Sequence, residues 1–149
     1  MPKLLGIAVV PKIMGEVLEK NSVTVDIKTG IQGDARGSKK QRQITILFED
    51  DWKKVCKDLN SSLHWTTRRA NLFVSGINGP QEENSIINIG KIKLKINYET
   101  DPCDVMEKQK PGLKKALTPD WRGGVCCSVI QGGKISIGDN VLIDNLVST

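Results

Sequence analysis

The stretch SIINIGKIKLKINYET, Ser85 to Thr100, decides how the rest of the chain is read. From Lys91 it alternates, with Ile92, Leu94, Ile96 and Tyr98 on one side and Lys91, Lys93, Lys95 and Asn97 on the other. A period of two marks a strand with one face on a core and the other in water. The row of lysines also predicts a solvated strand edge that resists pairing with another chain.

Other segments carry the same signal on both sides of this one. KLLGIAVV (Lys3 to Val10) is a short apolar run, which predicts a buried first strand. SVTVDI alternates through Val23, Val25 and Ile27, and QITILF through Ile44, Ile46 and Phe48. ANLFVSGI (Ala70 to Ile77) reads as a further strand closed by Gly76, and GGVCCSVIQGGKISIGDNVLI (Gly123 to Ile143) as three strands. Tight turns at Gly132-Gly133 and Gly138-Asp139 are expected to join those three. Within the first of them, alternation places one of Cys126 and Cys127 inward and the other outward, with no chemical task required of either.

The best helix is EDDWKKVCKDL (Glu49 to Leu59). Its acidic start suits the helix dipole, and Trp52, Val55, Cys56 and Leu59 form one apolar stripe. EKQKPGLKKAL (Glu107 to Leu117) predicts a loop and a short helix, with Pro111 in the first turn. Between the second and third strands lies KTGIQGDARGSKKQR (Lys28 to Arg42), a loop long enough to be a candidate for function. Short strands with glycine turns and one or two short helices predict a mainly β fold, an antiparallel β-barrel or closed sandwich.

A length of 149 residues with 38% hydrophobic and 26% charged content predicts one globular domain over residues 1–149. The net charge of +5 is that of an anion-binding protein or of a scattered basic surface. Six aromatic residues and no basic stripe that carries them argue against nucleic acid as the partner. The run Leu4 to Val10 is too short to span a bilayer and is followed by Pro11-Lys12 instead of a cleavage site. Four cysteines, two of them adjacent, are expected as free thiols in a reducing cytoplasm.

Several chemistries are poorly served. With His64 as the single histidine and no Cys-x-x-Cys, a zinc site of the usual spacing cannot be drawn. There is neither a Gly-x-Ser-x-Gly elbow nor a phosphate loop of the form G-x-x-x-x-G-K-[ST]. Cys103 follows Asp101-Pro102 at the exit of the alternating strand, and positive charge nearby would favour its thiolate. Arg36, Lys39, Lys40, Arg42, Arg68 and Arg69 are the candidates for that charge. The residues alone leave Cys103 open between a reactive thiol and an ordinary loop cysteine. They leave the arginines open between solvated side chains and phosphate ligands.

The ordered set TGIQGDARG, RQITIL, TTRRANLFVSGI, NIGKIKLKINYETDPC, PGLKKAL and RGGVCCSVIQGGKISIGDNVLI resembles the MOSC domain. That domain forms the C-terminus of molybdenum-cofactor sulfurase and also occurs as small standalone proteins. The resemblance runs from about Ile7 to Ile143. It implies a barrel of the pyruvate-kinase type that binds the molybdenum cofactor, a phosphorylated pterin holding Mo through a dithiolene. Cys103 matches the family cysteine that gives a thiolate to molybdenum or carries a persulfide. Arg69 and Asn71 match the Arg-x-Asn pattern of the cofactor pocket. Gly33, Asp34, Arg36 and Arg42 match the loop near the cofactor's polar end. Many members have histidine where Arg36 stands, and a guanidinium cannot shuttle protons near neutral pH.

Three functions follow. The first is reduction of N-hydroxylated or related compounds at a Cys103-ligated Mo, with electrons from a separate donor protein because no extension for them accompanies the match. The second is a carrier that takes sulfur from a cysteine desulfurase or delivers the cofactor. The third is a non-catalytic barrel that binds an anionic partner.

Overall fold

A computed structural model describes residues 1–144 of the chain, so residues 145–149 of the expected domain lie outside the described residues. The chain begins with β1 (Lys3–Val9), β2 (Leu18–Lys20), β3 (Ser22–Asp26), β4 (Gly30–Ile31) and β5 (Ile44–Phe48). Helix α1 (Glu49–Asp58), a 3-10 turn (Trp65–Arg68), β6 (Leu72–Ser75), β7 (Ile86–Ile89) and β8 (Ile92–Glu99) follow. Next come α2 (Asp104–Gln109), α3 (Leu113–Leu117), a second 3-10 turn (Pro119–Trp121), β9 (Val125–Gln131), β10 (Gly133–Ser136) and β11 (Val141–Asp144). The mainly β reading holds, with three short helices where one or two were expected.

The barrel expectation is corrected. Eight strands form one sheet in the order β11-β7-β8-β9-β5-β6-β1-β2, and β10-β3-β4 form a second. Among the described residues the end strands β11 and β2 do not pair, so the large sheet stays open. Its closest approach to closure is an isolated bridge between Lys3 and Asn140. Around that bridge the Leu4 N–H donates to Asp139 O at 2.9 Å and the Gly138 N–H donates to Leu4 O at 2.8 Å. Nor is the sheet wholly antiparallel: β5 and β6 run parallel, because α1 and the 3-10 turn carry the chain back between them.

The stretch from Ser85 holds two strands, not one. Ile89 pairs with Ile92 around a two-residue Gly90-Lys91 loop, where Gly90 takes φ +55°. Glycine in the first loop position permits that turn. Ile92, Leu94 and Ile96 are fully buried as expected. The alternation then breaks at Asn97, because the β8–β9 register shifts between Ile96 and Tyr98, and Tyr98 is half-buried instead of facing the core. β8 also lies between β7 and β9, so its lysines coat a sheet face and not an edge.

The expected terminal hairpin does not form either. β10 pairs with β3 and β11 with β7, so the chain changes sheets at Gly132. A Cβ at Gly132 would stand 2.5 Å from the Val25 carbonyl oxygen, a close approach open only to glycine. Cys126 and Cys127 are both fully buried, against the expectation of one inside and one outside. Cys127 joins the core between the sheets, while the Cys126 sulfur lies 3.5 Å from Thr100 Oγ1.

A second apolar cluster packs the helices on the sheet, uniting Trp52, Val55, Trp65, Phe73, Leu113 and Leu117. Among the described residues no helix is long and apolar enough to cross a membrane. Gly124, at φ +93°, brings the start of β9 so near β5 that a Cβ would meet Ile46 O at 1.9 Å. Gly124→Ala is therefore expected to cost at least about 2 kcal/mol of stability, through backbone strain and overpacking. Urea denaturation measures it, and an unchanged midpoint would show that β9 can move off β5.

Candidate functional site: a basic cavity with a thiol at its rim

Position begins with Gly6. A Cβ there would sit 2.6 Å from the Trp65 ring, so glycine leaves the space in which the indole lies on β1. Trp65 stacks on Phe73 with ring centroids 5.2 Å apart and planes 2° from parallel. The 3-10 turn that Trp65 opens ends at Arg69, which takes the left-handed conformation at φ 64° and ψ 28°. A non-glycine residue there is strained, so packing holds the turn in place. Arg68 and Arg69 are thereby sent to one end of the sheet.

The Gly-Asp loop meets them. The buried Asp34 Oδ1 accepts from the Val10 N–H at 2.8 Å, from Arg36 Nε at 3.2 Å and from Arg36 Nη2 at 3.1 Å. Arg36 Nη1 donates to Arg69 O at 2.7 Å, and Arg69 Nη2 donates to Gly15 O at 2.8 Å. One carboxylate and two guanidiniums thus tie together the segment after β1, the Gly-Asp loop and the 3-10 turn. The Ala35 N–H donates to Val10 O at 2.8 Å in the same tie.

Cys103 arrives from the opposite side. β8 is followed by buried Thr100, whose N–H donates to Gly124 O at 2.9 Å, and Asp101-Pro102 then lead out to an exposed thiol. Cys103 caps α2 through its backbone, the Met106 N–H donating to Cys103 O at 3.0 Å. Its side chain makes no capping hydrogen bond. A Lys114–Asp104 ion pair at 2.8 Å links α2 to α3, and that ammonium holds the Asp104 carboxyl below its ordinary range.

Between these segments lies a cavity of about 170 Å³ lined by Arg36, Lys39, Arg42, Arg68, Arg69 and Cys103. Ile13, Met14 and Val105 complete its wall. The lining holds five cationic side chains and no carboxylate. A larger hollow of about 410 Å³ between α1 and α3 includes Asp58 beside Lys115 and gathers no such charge.

Arg68 is the unusual member. It is 4% exposed, its Nε donates to Gly123 O at 2.9 Å, and its Nη2 is buried without a partner. Burial pushes this guanidinium down to about 10, and the Arg42 charge pushes the same way. Arg69 is lowered by burial and then by Arg36. Of three buried, unpartnered side-chain polar atoms among the described residues, two belong here, Arg68 Nη2 and Asp34 Oδ2. Such atoms are rare and costly in folded proteins.

The structure thus gathers Arg36, Arg42, Arg69 and Cys103 at one cavity. Asp34 stands behind the wall as the support of Arg36. Gly33 shapes the turn at φ +90° and does not line the cavity. Asn71 lies behind it too. Its Oδ1 accepts from the Thr45 N–H at 3.0 Å and its Nδ2 donates to Ala8 O at 3.1 Å, joining β5 to the end of β1. Lys39 and Arg68 were legible only as nearby charge, and nothing local in the sequence marks Ile13, Met14 or Val105.

Fold and cavity define a class: a β-rich domain with an exposed thiol at the rim of a basic cavity. A family profile, the MOSC domain, matches residues 32–142, and the chain belongs to that family. Among solved structures it is similar to the YUAD protein from Bacillus subtilis, at 20% identity and a TM-score of 0.77, covering 96% of each chain. It is also similar to YiiM from Geobacillus stearothermophilus, at 15% identity and a TM-score of 0.74, covering 97% of this chain and 76% of that one. For YiiM from Escherichia coli the identity is 14% and the TM-score 0.74, with 99% and 72% covered. At these identities the likeness is one of fold. No curated protein matches the chain.

Asp34→Ala is expected to destabilise the protein by about 3 kcal/mol, because it strips the Val10 N–H and Arg36 of their shared acceptor. Chemical denaturation gives the size of the loss. Hydrogen exchange should place the loosening in the Gly-Asp loop and the segment after β1, and protection unchanged in both would refute the tie.

Proposed function

We propose that this chain binds the molybdenum cofactor, with Cys103 giving a thiolate to the metal and the basic cavity receiving the phosphorylated end. The observation that carries the reading is the meeting, at one cavity, of an exposed thiol with cations that no lining carboxylate neutralises. The donor set fits. A thiolate is a soft, anionic ligand, and a metal that arrives on a dithiolene needs few further ligands from the protein. The unpartnered Nη2 of Arg68 marks a place where an anion would satisfy a buried donor.

When bound, the cofactor supplies two-electron redox chemistry. The protein's own contributions are simpler. Cys103 would hold the metal end at the rim of the cavity, where its side chain is exposed. The cations neutralise and orient the other end. A guanidinium serves as a fixed charge, so acid–base work is not assigned to Arg36. The activity we propose is reduction of N-hydroxylated or related compounds, with electrons from a separate protein. The exposure of Cys103 also favours a second reading, in which the thiol carries a persulfide received from a cysteine desulfurase.

Metal analysis tests the reading. Protein from a cofactor-competent host is expected to carry Mo and pterin, Cys103→Ala to lose at least tenfold in bound Mo, and Cys126→Ala to keep both. Equal loading of the wild type and Cys103→Ala would remove the ligand assignment. Loaded protein that fails to reduce a hydroxylamine with a donor present, but forms a persulfide on Cys103 with a desulfurase, would decide for the carrier.

A further inference from the structure

The outer face of β8 carries charge that nothing beside it answers. Lys93 is exposed and Lys95 half-buried, while Ile92, Leu94 and Ile96 of the same strand fill the core. Across from the two lysines stand Asn88 and Ile86 on β7 and Gln131 and Ser128 on β9, none of them a carboxylate. Neither lysine forms an ion pair among the described residues. Asp144 lies one strand further out, on β11, and accepts from Asn88 Nδ2 at 2.9 Å. Like charges set side by side repel, and no acid in these cross-strand pairs offsets that.

The register slip at Asn97 extends this face toward the cavity. It turns Tyr98 away from the core, so that the ring belongs to neither apolar cluster. Irregularities of this kind re-aim a side chain and are frequent beside functional sites. Asn97 Nδ2 donates to Gln41 O at 2.9 Å and to Ser128 Oγ at 3.2 Å, which fastens the segment before Arg42 to the same face. Burial pushes the Tyr98 phenol up, and the charge of Arg42 close by opposes the rise. At roughly 3.3 Å per residue the face runs about 16 Å from Lys93 to Tyr98. It ends where Arg42 enters the cavity wall. The acids of this stretch, Glu99 and Asp101, come only after Tyr98.

We propose that this face, Lys93, Lys95 and Tyr98 with Arg42 at its end, docks an acidic electron-transfer protein. The proposal rests on the cofactor reading for the partner's task and not for the surface itself. Carboxylates of the partner would meet the lysines, which favours fast and oriented encounter more than tight binding. Tyr98 would give the contact an amphipathic anchor. A face of this extent suits the small, transient interfaces of redox partners. Reduction of an N–OH compound to the amine and water takes two electrons and two protons, which two one-electron carriers and solvent supply. A partner seated here would hold its redox group over the cavity that Cys103 lines. Tyr98 is the one aromatic residue of β7, β8 and β9, too few rings to stack a strand of bases.

The test uses flavodoxin and a [2Fe–2S] ferredoxin, both small acidic one-electron carriers, as probes. Surface plasmon resonance on cofactor-free protein is expected to show a complex with at least one of them that weakens at least fivefold from low to high ionic strength. Lys93→Glu with Lys95→Glu should weaken it at least tenfold, and Tyr98→Ala at least threefold. Lys20→Glu with Lys57→Glu makes the same change of net charge on β2 and α1 and should leave binding within twofold. In loaded protein the first pair should raise KM for the reduced carrier at least fivefold, with kcat on reduced methyl viologen unchanged.

No complex of the wild type with either carrier would overturn the proposal. Equal weakening by both pairs of reversals would do the same, since net charge alone would then explain binding. So would a dependence on Lys93 and Lys95 seen for a single-stranded oligonucleotide or for anionic vesicles but for neither carrier. Loaded protein that is inactive even with viologen would sink the reductase reading, and the binding measurements would still decide the docking face.

Discussion

Everything at this end of the molecule depends on bringing like charges together. Four arginines and a lysine line one small cavity, and the carboxylate that answers them, Asp34, sits behind the wall and pairs with Arg36. The Asp34 side chain is fully buried, and its Oδ1 serves a backbone N–H and two guanidinium nitrogens. Without that acceptor the loop would present more positive charge than a solvent-poor site tolerates. With it, Arg36 and Arg69 become ties between segments, while Lys39, Arg42 and Arg68 form no ion pair among the described residues.

The scaffold supplies this through close packing more than through regular helix or strand. Gly6 leaves room for Trp65, Trp65 stacks on Phe73, and the strained turn at Arg69 follows from that seat. Gly124 lets β9 approach β5, and its carbonyl oxygen holds the Thr100 N–H before the chain turns out to Cys103. Small residues in two strand regions therefore set where two arginines and a thiol emerge. Asn71, with a buried amide that joins β1 and β5, belongs to the same support.

Much of the fold was legible because burial imposes periodicity. The apolar stripe of α1 and the inward set Ile92, Leu94 and Ile96 stand where the pattern placed them. The misreadings share one cause. A hairpin with a two-residue loop, a one-residue register slip at Asn97 and a change of sheet at Gly132 leave no lasting mark on an alternating pattern. Pairing partners are chosen by strands remote in sequence, which is why β10 joins β3 and the large sheet stays open. Cys126 and Cys127 are both buried because the outer side of β9 is itself covered there, with Thr100 against Cys126.

By itself the sequence determined a mainly β chain, its principal helix and an ordered set of motifs that led to the MOSC family. It named Cys103 and the basic segments as the chemistry to watch. Only the tertiary structure decided that Arg36, Arg42, Arg69 and Cys103 share one cavity, that Asn71 and Gly33 stand outside it, and that Arg68 is buried there with a donor unspent. The physical reason is that charge and thiol chemistry are written residue by residue. Burial, hydrogen-bond satisfaction and the company a charge keeps depend on contacts between segments tens of residues apart.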